Sequence, residues 1–178
     1  MLDPADYLTE VGGVARELTD LGLTPVLVGG MALVMLGSRR VTRDFDFVVA
    51  RPEGKLARLL DVFYSRGLEL ASRVNAGGDV TATLRNRKVA AIRLRLDAPA
   101  SAFFLNPATG LRIDLLFDFP VPASTLATRA TRATVRSHVF RVASEQDLLH
   151  LKKLAKARRA TPGDDHDIAF LEGRQTRS

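Results

Sequence analysis

One stretch of the chain decides the fold: Val26-Leu-Val-Gly-Gly-Met-Ala-Leu-Val-Met-Leu-Gly-Ser-Arg-Arg-Val-Thr-Arg-Asp-Phe-Asp-Phe-Val-Val49. Its order of residue types predicts a buried strand, a turn at Gly29 and Gly30, a short helix and a second strand. Residues two apart on a strand point to the same face, so Asp44 and Asp46 lie together opposite the phenylalanines. Aspartate is depleted in strands, and a shared divalent cation would explain the pair. The glycine turn would leave backbone N–H groups free to hold phosphate oxygens.

A third aspartate lies on a similar segment further along the chain. The alternation in Leu111-Arg-Ile-Asp-Leu-Leu-Phe117 predicts a strand with Arg112 and Asp114 on one face. Two divalent ions about 4 Å apart can neutralise the charge of a phosphoryl group during its transfer, and they need about three carboxylates from neighbouring strands. Asp44, Asp46 and Asp114 supply that number.

The positive charge is concentrated in one segment. The chain has 26 Lys and Arg against 20 Asp and Glu, a net charge of +6. Nine of these basic residues and only two acids lie within residues 129–159, so this segment carries +7 and the rest of the chain −1. Such a segment favours a polyanionic partner such as a triphosphate or RNA, although a solvated helix face gives the same pattern.

Several classes of site are excluded by residue usage. The chain contains no cysteine, so disulfides, thiolate chemistry and Cys-ligated zinc are ruled out. The histidines His138, His150 and His166 have no metal-ligand spacing and are interpreted as ordinary polar residues. A site built on cysteine or on a histidine pair is therefore not expected.

No targeting or membrane segment is predicted. The N-terminal residues lack a basic region followed by an apolar one, so a cytoplasmic location is expected. The uncharged run Leu21–Ser38 is just long enough to be considered as a membrane span. Its four glycines and Pro25 favour a buried strand and a short helix instead.

The length of 178 residues predicts one domain, with a core at about residues 24–120 and a helical C-terminal part at about 144–172. One predicted helix begins at Asp3-Pro4 and ends near Leu21. Three more are predicted at Glu53–Arg66, from Ser144 to about Arg159, and after Thr161-Pro162. Further predicted strands are Val80–Arg85, Val89–Leu96 after a turn at Asn86, and Phe103–Leu105.

The motifs together resemble a known superfamily. A hydrophobic strand, Gly-Gly, a short helix and then Arg40-x-Thr42-x-Asp44-x-Asp46 resemble the nucleotidyltransferase superfamily with the polymerase-beta-like fold, and within it the bacterial AbiEii-type proteins. The later run Asp147-Leu-Leu-His-Leu-Lys152 is similar to the helical ending of that branch, as is the pair Asp164 and Asp167. The resemblance covers about residues 24–50 and 111–172.

The resemblance implies a fold and a site. The fold would be α+β, with a mixed or antiparallel sheet flanked by helices and with C-terminal helices. Asp44, Asp46 and Asp114 would bind Mg²⁺, with two ions expected, and Asp114 would also be the base. The residues expected to contact the nucleotide are Gly29, Gly30, Arg40, Thr42 and Lys152. Lys152 would bind the triphosphate or pair with the acidic cluster, whereas Asp164 and Asp167 are expected to pair with the preceding basic helix.

The implied activity is transfer of a nucleoside monophosphate from an NTP to a hydroxyl or an RNA acceptor. The protein would then be a toxin paired with an antitoxin, or act as a homodimer.

One residue departs from the superfamily's pattern. The superfamily usually has Ser or Thr in or just after the glycine pair, whereas this chain has Met31, which cannot donate a hydrogen bond to a phosphate. Two other functions stay open, and Met31 bears on the first of them. One is nucleotide or RNA binding without catalysis, and the other is nucleotidyl transfer to an antibiotic in a pocket shared across a dimer.

Overall fold

The centre of the fold is a mixed sheet of eight strands, seen in a computed structural model that describes residues 4–39, 42–158 and 164–176. The strands are β1 (Val26–Val28), β2 (Asp44–Val49), β3 (Glu69–Val74), β4 (Val80–Leu84), β5 (Ser101–Leu105), β6 (Arg112–Phe117), β7 (Thr131–Val135) and β8 (His138–Val142). The helices are α1 (Pro4–Asp20), α2 (Gly29–Met35), α3 (Leu56–Tyr64), α4 (Arg87–Asp97), α5 (Ala123–Arg129), α6 (Glu145–Arg158) and α7 (Asp164–Gln175).

The order of the strands across the sheet is β4-β3-β5-β6-β2-β1-β8-β7. β2 runs parallel to β6 and β1 parallel to β8, while the remaining neighbours are antiparallel. This mixed sheet with its helices confirms the α+β fold. The two aspartate-bearing strands, β2 and β6, are adjacent at its centre.

The alternation predicted for β2 is present. Phe45 and Phe47 on one face are almost completely buried, whereas Asp44 is exposed and Asp46 is half-buried. Elsewhere in the core the rings of Phe63 and Phe104 stack, with centroids 3.9 Å apart. Burial of such side chains supplies most of the free energy that holds strands and helices together.

The prediction of a strand at Val89–Leu96 is wrong, because this segment forms α4. The Asn86 side chain accepts hydrogen bonds from the backbone N–H groups of Lys88 and Val89, at 2.9 and 3.2 Å, and so caps the helix. The leucines and isoleucine that alternate with arginine do not form a buried face: Ile92 is 53% and Leu96 78% exposed. The helix instead buries Ala90 and Leu94, which are four residues apart.

Several elements of the C-terminal half were not predicted. β8 pairs with β1 through Leu27 and Val142, and β7 extends the sheet beyond it. The helix predicted to start at Ser144 is present, and the Ser144 hydroxyl caps it by accepting a hydrogen bond from the N–H of Asp147 at 3.1 Å. The run Leu21–Ser38 contains β1 and α2, and no described helix is long and apolar enough to cross a membrane.

Candidate active site

The register of β2 against β6 brings two of the predicted aspartates together. Asp46 is directly opposite Asp114, and Asp44 is opposite Arg112. On the other side of β2, Asp46 pairs with Val28, the last residue of β1 before the glycine turn. The charge of Asp114 also acts on Asp46. Strand pairing therefore places a carboxyl pair at the end of β1.

This crowding of carboxyl groups changes their acidity. Burial and the adjacent Asp114 raise the pKa of Asp46 from 3.8 to about 7. The charge of Asp44 also raises the pKa of Asp46, whereas the charge of Lys152 lowers it. Burial likewise raises the pKa of Asp114, against the opposing effect of the Arg112 guanidinium. In the absence of a cation, the pair therefore retains a proton near neutral pH.

The turn at Gly29 lies directly against this pair. Gly29 has φ of +70°, and a Cβ built on it would lie 2.2 Å from Oδ2 of Asp46. Only glycine combines this backbone conformation with so close an approach. Val28 is the N-cap residue of α2, and its apolar side chain cannot accept a hydrogen bond from the helix. The first backbone N–H groups of α2 therefore have no side-chain cap at this residue. Gly30 is buried at the start of the same helix.

Met31 follows the glycine pair. Its side chain is half-buried and packs against the hydrophobic core. The position that usually carries a hydroxyl is therefore occupied by a packing residue.

Arg112 is a site residue that the sequence analysis did not single out. Its Nε lies 2.8 Å from Oδ1 of Asp114 and its Nη2 lies 3.1 Å from Oδ2, so both carboxylate oxygens accept from one guanidinium. Its Nη1 donates to the backbone carbonyl of Gly78 at 2.5 Å, and its guanidinium lies 4.9 Å from the ring centroid of Phe103. The available signal was the spacing of two residues from Asp114, which puts both side chains on the same face of a strand.

Lys152 lies on α6 and pairs with two buried acids on α7. Its Nζ is 2.9 Å from Oδ2 of Asp167 and 3.7 Å from Oδ1 of Asp164. The pairing of these acids with the preceding basic helix is thus present. Since the charge of Lys152 also lowers the pKa of Asp46, its influence extends to the carboxyl pair.

The chain matches no protein-family model and no curated protein. Solved structures do share its architecture. A nucleotidyltransferase-like protein from Paracoccidioides brasiliensis is similar with a TM-score of 0.59 at 17% identity, over 93% of this chain and 74% of that one. The chain has the nucleotidyltransferase fold.

An antibiotic-resistance factor and an antibiotic adenylyltransferase share this nucleotidyltransferase fold. The antibiotic-resistance factor ANT(2'')-Ia has a TM-score of 0.58 at 10% identity, over 95% of this chain and 84% of that one. The lincosamide antibiotic adenylyltransferase LnuA, in a lincomycin-bound structure, has a TM-score of 0.54 at 13% identity, over 92% of this chain and 95% of that one. At these identities the likeness concerns the fold.

The expected two-ion cluster is not formed by the described residues of this nucleotidyltransferase fold. Within residues 4–39, 42–158 and 164–176, no group of three or more His, Cys, Asp or Glu side chains is arranged to hold a metal ion. Arg112 gives the physical reason, since it binds both oxygens of Asp114. Asp44 and Asp46 offer the carboxylate oxygens that Mg²⁺ prefers, and the backbone of Gly29 packs closely against Asp46. The oxygen donors of Asp44 and Asp46 are thus of the kind that fits a divalent ion.

Of the two further residues predicted to contact the nucleotide, Thr42 and Arg40, the structure describes only Thr42. Thr42 is half-buried two residues before Asp44, at the entrance to β2. Arg40 lies outside the described residues, and no position is assigned to it.

Much of the positive charge of residues 129–159 is already paired within the protein. Arg129 binds Asp147 through two hydrogen bonds of 3.0 and 2.7 Å. Other pairs on α6 are Lys153 with Glu172 and Lys156 with Asp165. The exposed arginines of the β7–β8 hairpin include Arg132 and Arg136. A surface for a polyanion would therefore centre on that hairpin rather than on the whole segment.

Proposed function

We propose that this protein is a Mg²⁺-dependent nucleotidyltransferase that transfers a nucleoside monophosphate from an NTP to a hydroxyl group. The observation that carries the proposal is the direct pairing of Asp46 with Asp114, next to the Gly29 turn. Carboxylates beside a phosphate-sized turn are suited to phosphoryl chemistry, in which positioning and charge neutralisation lower the barrier.

Each residue has a defined part in this proposal. Asp44 and Asp46 would hold Mg²⁺, which when bound neutralises charge on the phosphates. The backbone N–H groups at Gly29 and Gly30 would hold phosphate oxygens. Lys152 would add positive charge on the triphosphate side.

Asp114 is proposed as the base. Each carboxylate oxygen has two lone pairs, so Asp114 can take the proton of the attacking hydroxyl while it accepts from Arg112. The raised pKa of Asp114 favours this role, because a more basic carboxylate accepts a proton more readily.

The proposed acceptor is the end of an RNA or another hydroxyl, as in an AbiEii-type toxin of a toxin-antitoxin pair acting in the cytoplasm. The exposed arginines Arg132 and Arg136 of the β7–β8 hairpin support an RNA acceptor, since a phosphate backbone can pair with exposed guanidinium groups. An antitoxin or a second copy of the chain would be the protein partner.

Two alternatives have support of their own. Transfer to an antibiotic is favoured by the fold shared with ANT(2'')-Ia and LnuA. Binding of nucleotide or RNA without catalysis is favoured by the packing of Met31 against the core.

One assay separates these functions. The protein is incubated with α-labelled NTPs, Mg²⁺ and either total RNA or a set of antibiotics that includes lincosamides. Label on RNA supports the first proposal and label on a drug the second, while bound but untransferred nucleotide supports the third. Asp46→Asn should abolish transfer, and Asp20→Asn, at an exposed position on α1, should leave it unchanged. If Asp46→Asn keeps full activity, the proposed site is wrong.

A further inference from the structure

Arg112 is held more firmly than a surface arginine. Its side chain and that of Asp114 are only 15% and 12% exposed. Three of its nitrogens are engaged, two by Asp114 and one by the Gly78 carbonyl, and Phe103 lies against the guanidinium plane. Bidentate pairs of this kind are the strongest and most directional ion pairs in proteins. The cation is therefore a fixed part of the site.

The position of Arg112 puts its charge among all three aspartates. It is opposite Asp44 in the strand register, and the charges of Asp44, Asp46 and Asp114 all act on it. One divalent ion at Asp44 and Asp46 would, together with this guanidinium, balance the three carboxylates. A second ion at Asp114 would have to displace two charge-assisted hydrogen bonds.

We propose that Arg112 satisfies Asp114 in place of a second divalent ion, so that this site works with one bound ion and one fixed guanidinium. The inference rests on the proposed nucleotidyl transfer and states which positive charges balance the three carboxylates of that site. Arg112 is then a positioning residue that acts through Asp114, and its contact with Gly78 fastens the β3–β4 turn beside the carboxylates.

The test counts bound ions rather than turnover. Wild-type protein is saturated with an NTP analogue that has a methylene group between its α- and β-phosphorus atoms, and is titrated with Mn²⁺ under electron paramagnetic resonance. One Mn²⁺ per chain, with no spectrum of coupled ions, is expected. Two Mn²⁺ per chain, or none, would overturn the inference.

Two variants of Arg112 test the role of its charge. Arg112→Gln removes the charge but keeps an amide donor for Asp114, and should raise the ratio to two Mn²⁺ per chain. Arg112→Lys keeps the charge and should stay at one. Arg95→Gln, at an exposed position on α4, is the matched control and should also stay at one. A ratio of one in folded Arg112→Gln would show that Arg112 only supports the structure. If that variant does not fold, the wild-type ratio and Arg112→Lys decide.

The outcome is separable from that of the proposed function. Label transfer by a wild-type protein that binds two Mn²⁺ would refute the role of Arg112 and leave the transferase intact. One ion in the wild type and two in Arg112→Gln, without transfer to any acceptor, would support the role of Arg112 and refute the activity.

Discussion

Asp46 and Asp114 are opposite one another on adjacent parallel strands, and burial beside Asp114 raises the pKa of Asp46 to about 7. Two carboxylates at this separation repel when both are ionised, and burial raises the cost. The protein therefore holds a proton on Asp46 in the absence of a cation, and a bound divalent ion would replace that proton. The two carboxyl groups therefore favour the binding of a proton or a cation at the end of β1.

The first prediction concerns the stability of the ion-free protein as a function of pH. The pKa of Asp46 is raised from 3.8 to about 7, so the native state binds more protons than the unfolded state between these values. The free energy of unfolding contributed by Asp46 must then fall as pH rises from about 4 to about 7. Asp46→Asn stays neutral throughout and should lack this component. Urea unfolding in EDTA at pH 5, 6, 7 and 8 measures the difference between wild type and variant. A constant difference over that range would contradict the assignment.

The second prediction concerns the close approach of Gly29 to Asp46. Gly29→Ala adds a Cβ 2.2 Å from Oδ2 of Asp46 and strains a residue with φ of +70°. The expected loss in free energy of unfolding is about 2–3 kcal/mol, and nucleotide binding should be lost with it. Gly54→Ala is the matched control, because Gly54 has φ of +72° but nothing within 4 Å of its added Cβ among the described residues. It should lose only about 1 kcal/mol and bind nucleotide normally. Equal effects of the two substitutions would mean that the turn does not border the site.

The local pattern was sufficient to predict the aspartate strands. The period of two in β2 and β6 put Asp44, Asp46 and Asp114 on polar faces opposite buried phenylalanine and leucine. The same period misled at Val89–Leu96, where Asn86 caps a helix that buries Ala90 and Leu94. Alternation alone cannot distinguish a strand from a helix whose apolar residues are exposed.

Non-local pairing could not be predicted from the pattern. The parallel register that sets Asp46 opposite Asp114 joins residues 68 positions apart, and no local signal specifies it. The role of Arg112 depends on that register, because only the assembled strands show that the guanidinium binds Asp114 beside Asp46. β8 joined β1 in the same way, through Val142 and Leu27.

The third prediction concerns Met31. Met31→Ser places a hydroxyl after the glycine pair, where it can donate to a phosphate oxygen. One additional hydrogen bond, worth about 1 kcal/mol, should raise NTP affinity roughly fivefold, at the cost of some core packing. Met35→Ser, on the same helix and also half-buried against the core, is the control and should lower stability without raising affinity. Calorimetric titration with NTP and Mg²⁺ measures the affinity of both variants, and urea unfolding measures their stability. If Met31→Ser binds no more tightly than wild type, the phosphates do not contact this turn through a side chain.

The last prediction concerns the lysine that joins α6 to α7. Lys152 is 16% exposed and lies 2.9 Å from Asp167, which is 1% exposed, so its removal takes the cationic partner from a buried carboxylate. Lys152→Met should lower the free energy of unfolding by about 3 kcal/mol at neutral pH. The neighbouring Lys153 is 55% exposed and pairs with an exposed Glu172, so Lys153→Met should change stability by less than about 0.5 kcal/mol. Adding Asp167→Asn to Lys152→Met should recover part of the loss, because the buried negative charge is then removed as well. Urea denaturation of the four proteins, with wild type as reference, measures these differences, and equal losses for the two lysine variants would show that Lys152 does not bind α7 in solution.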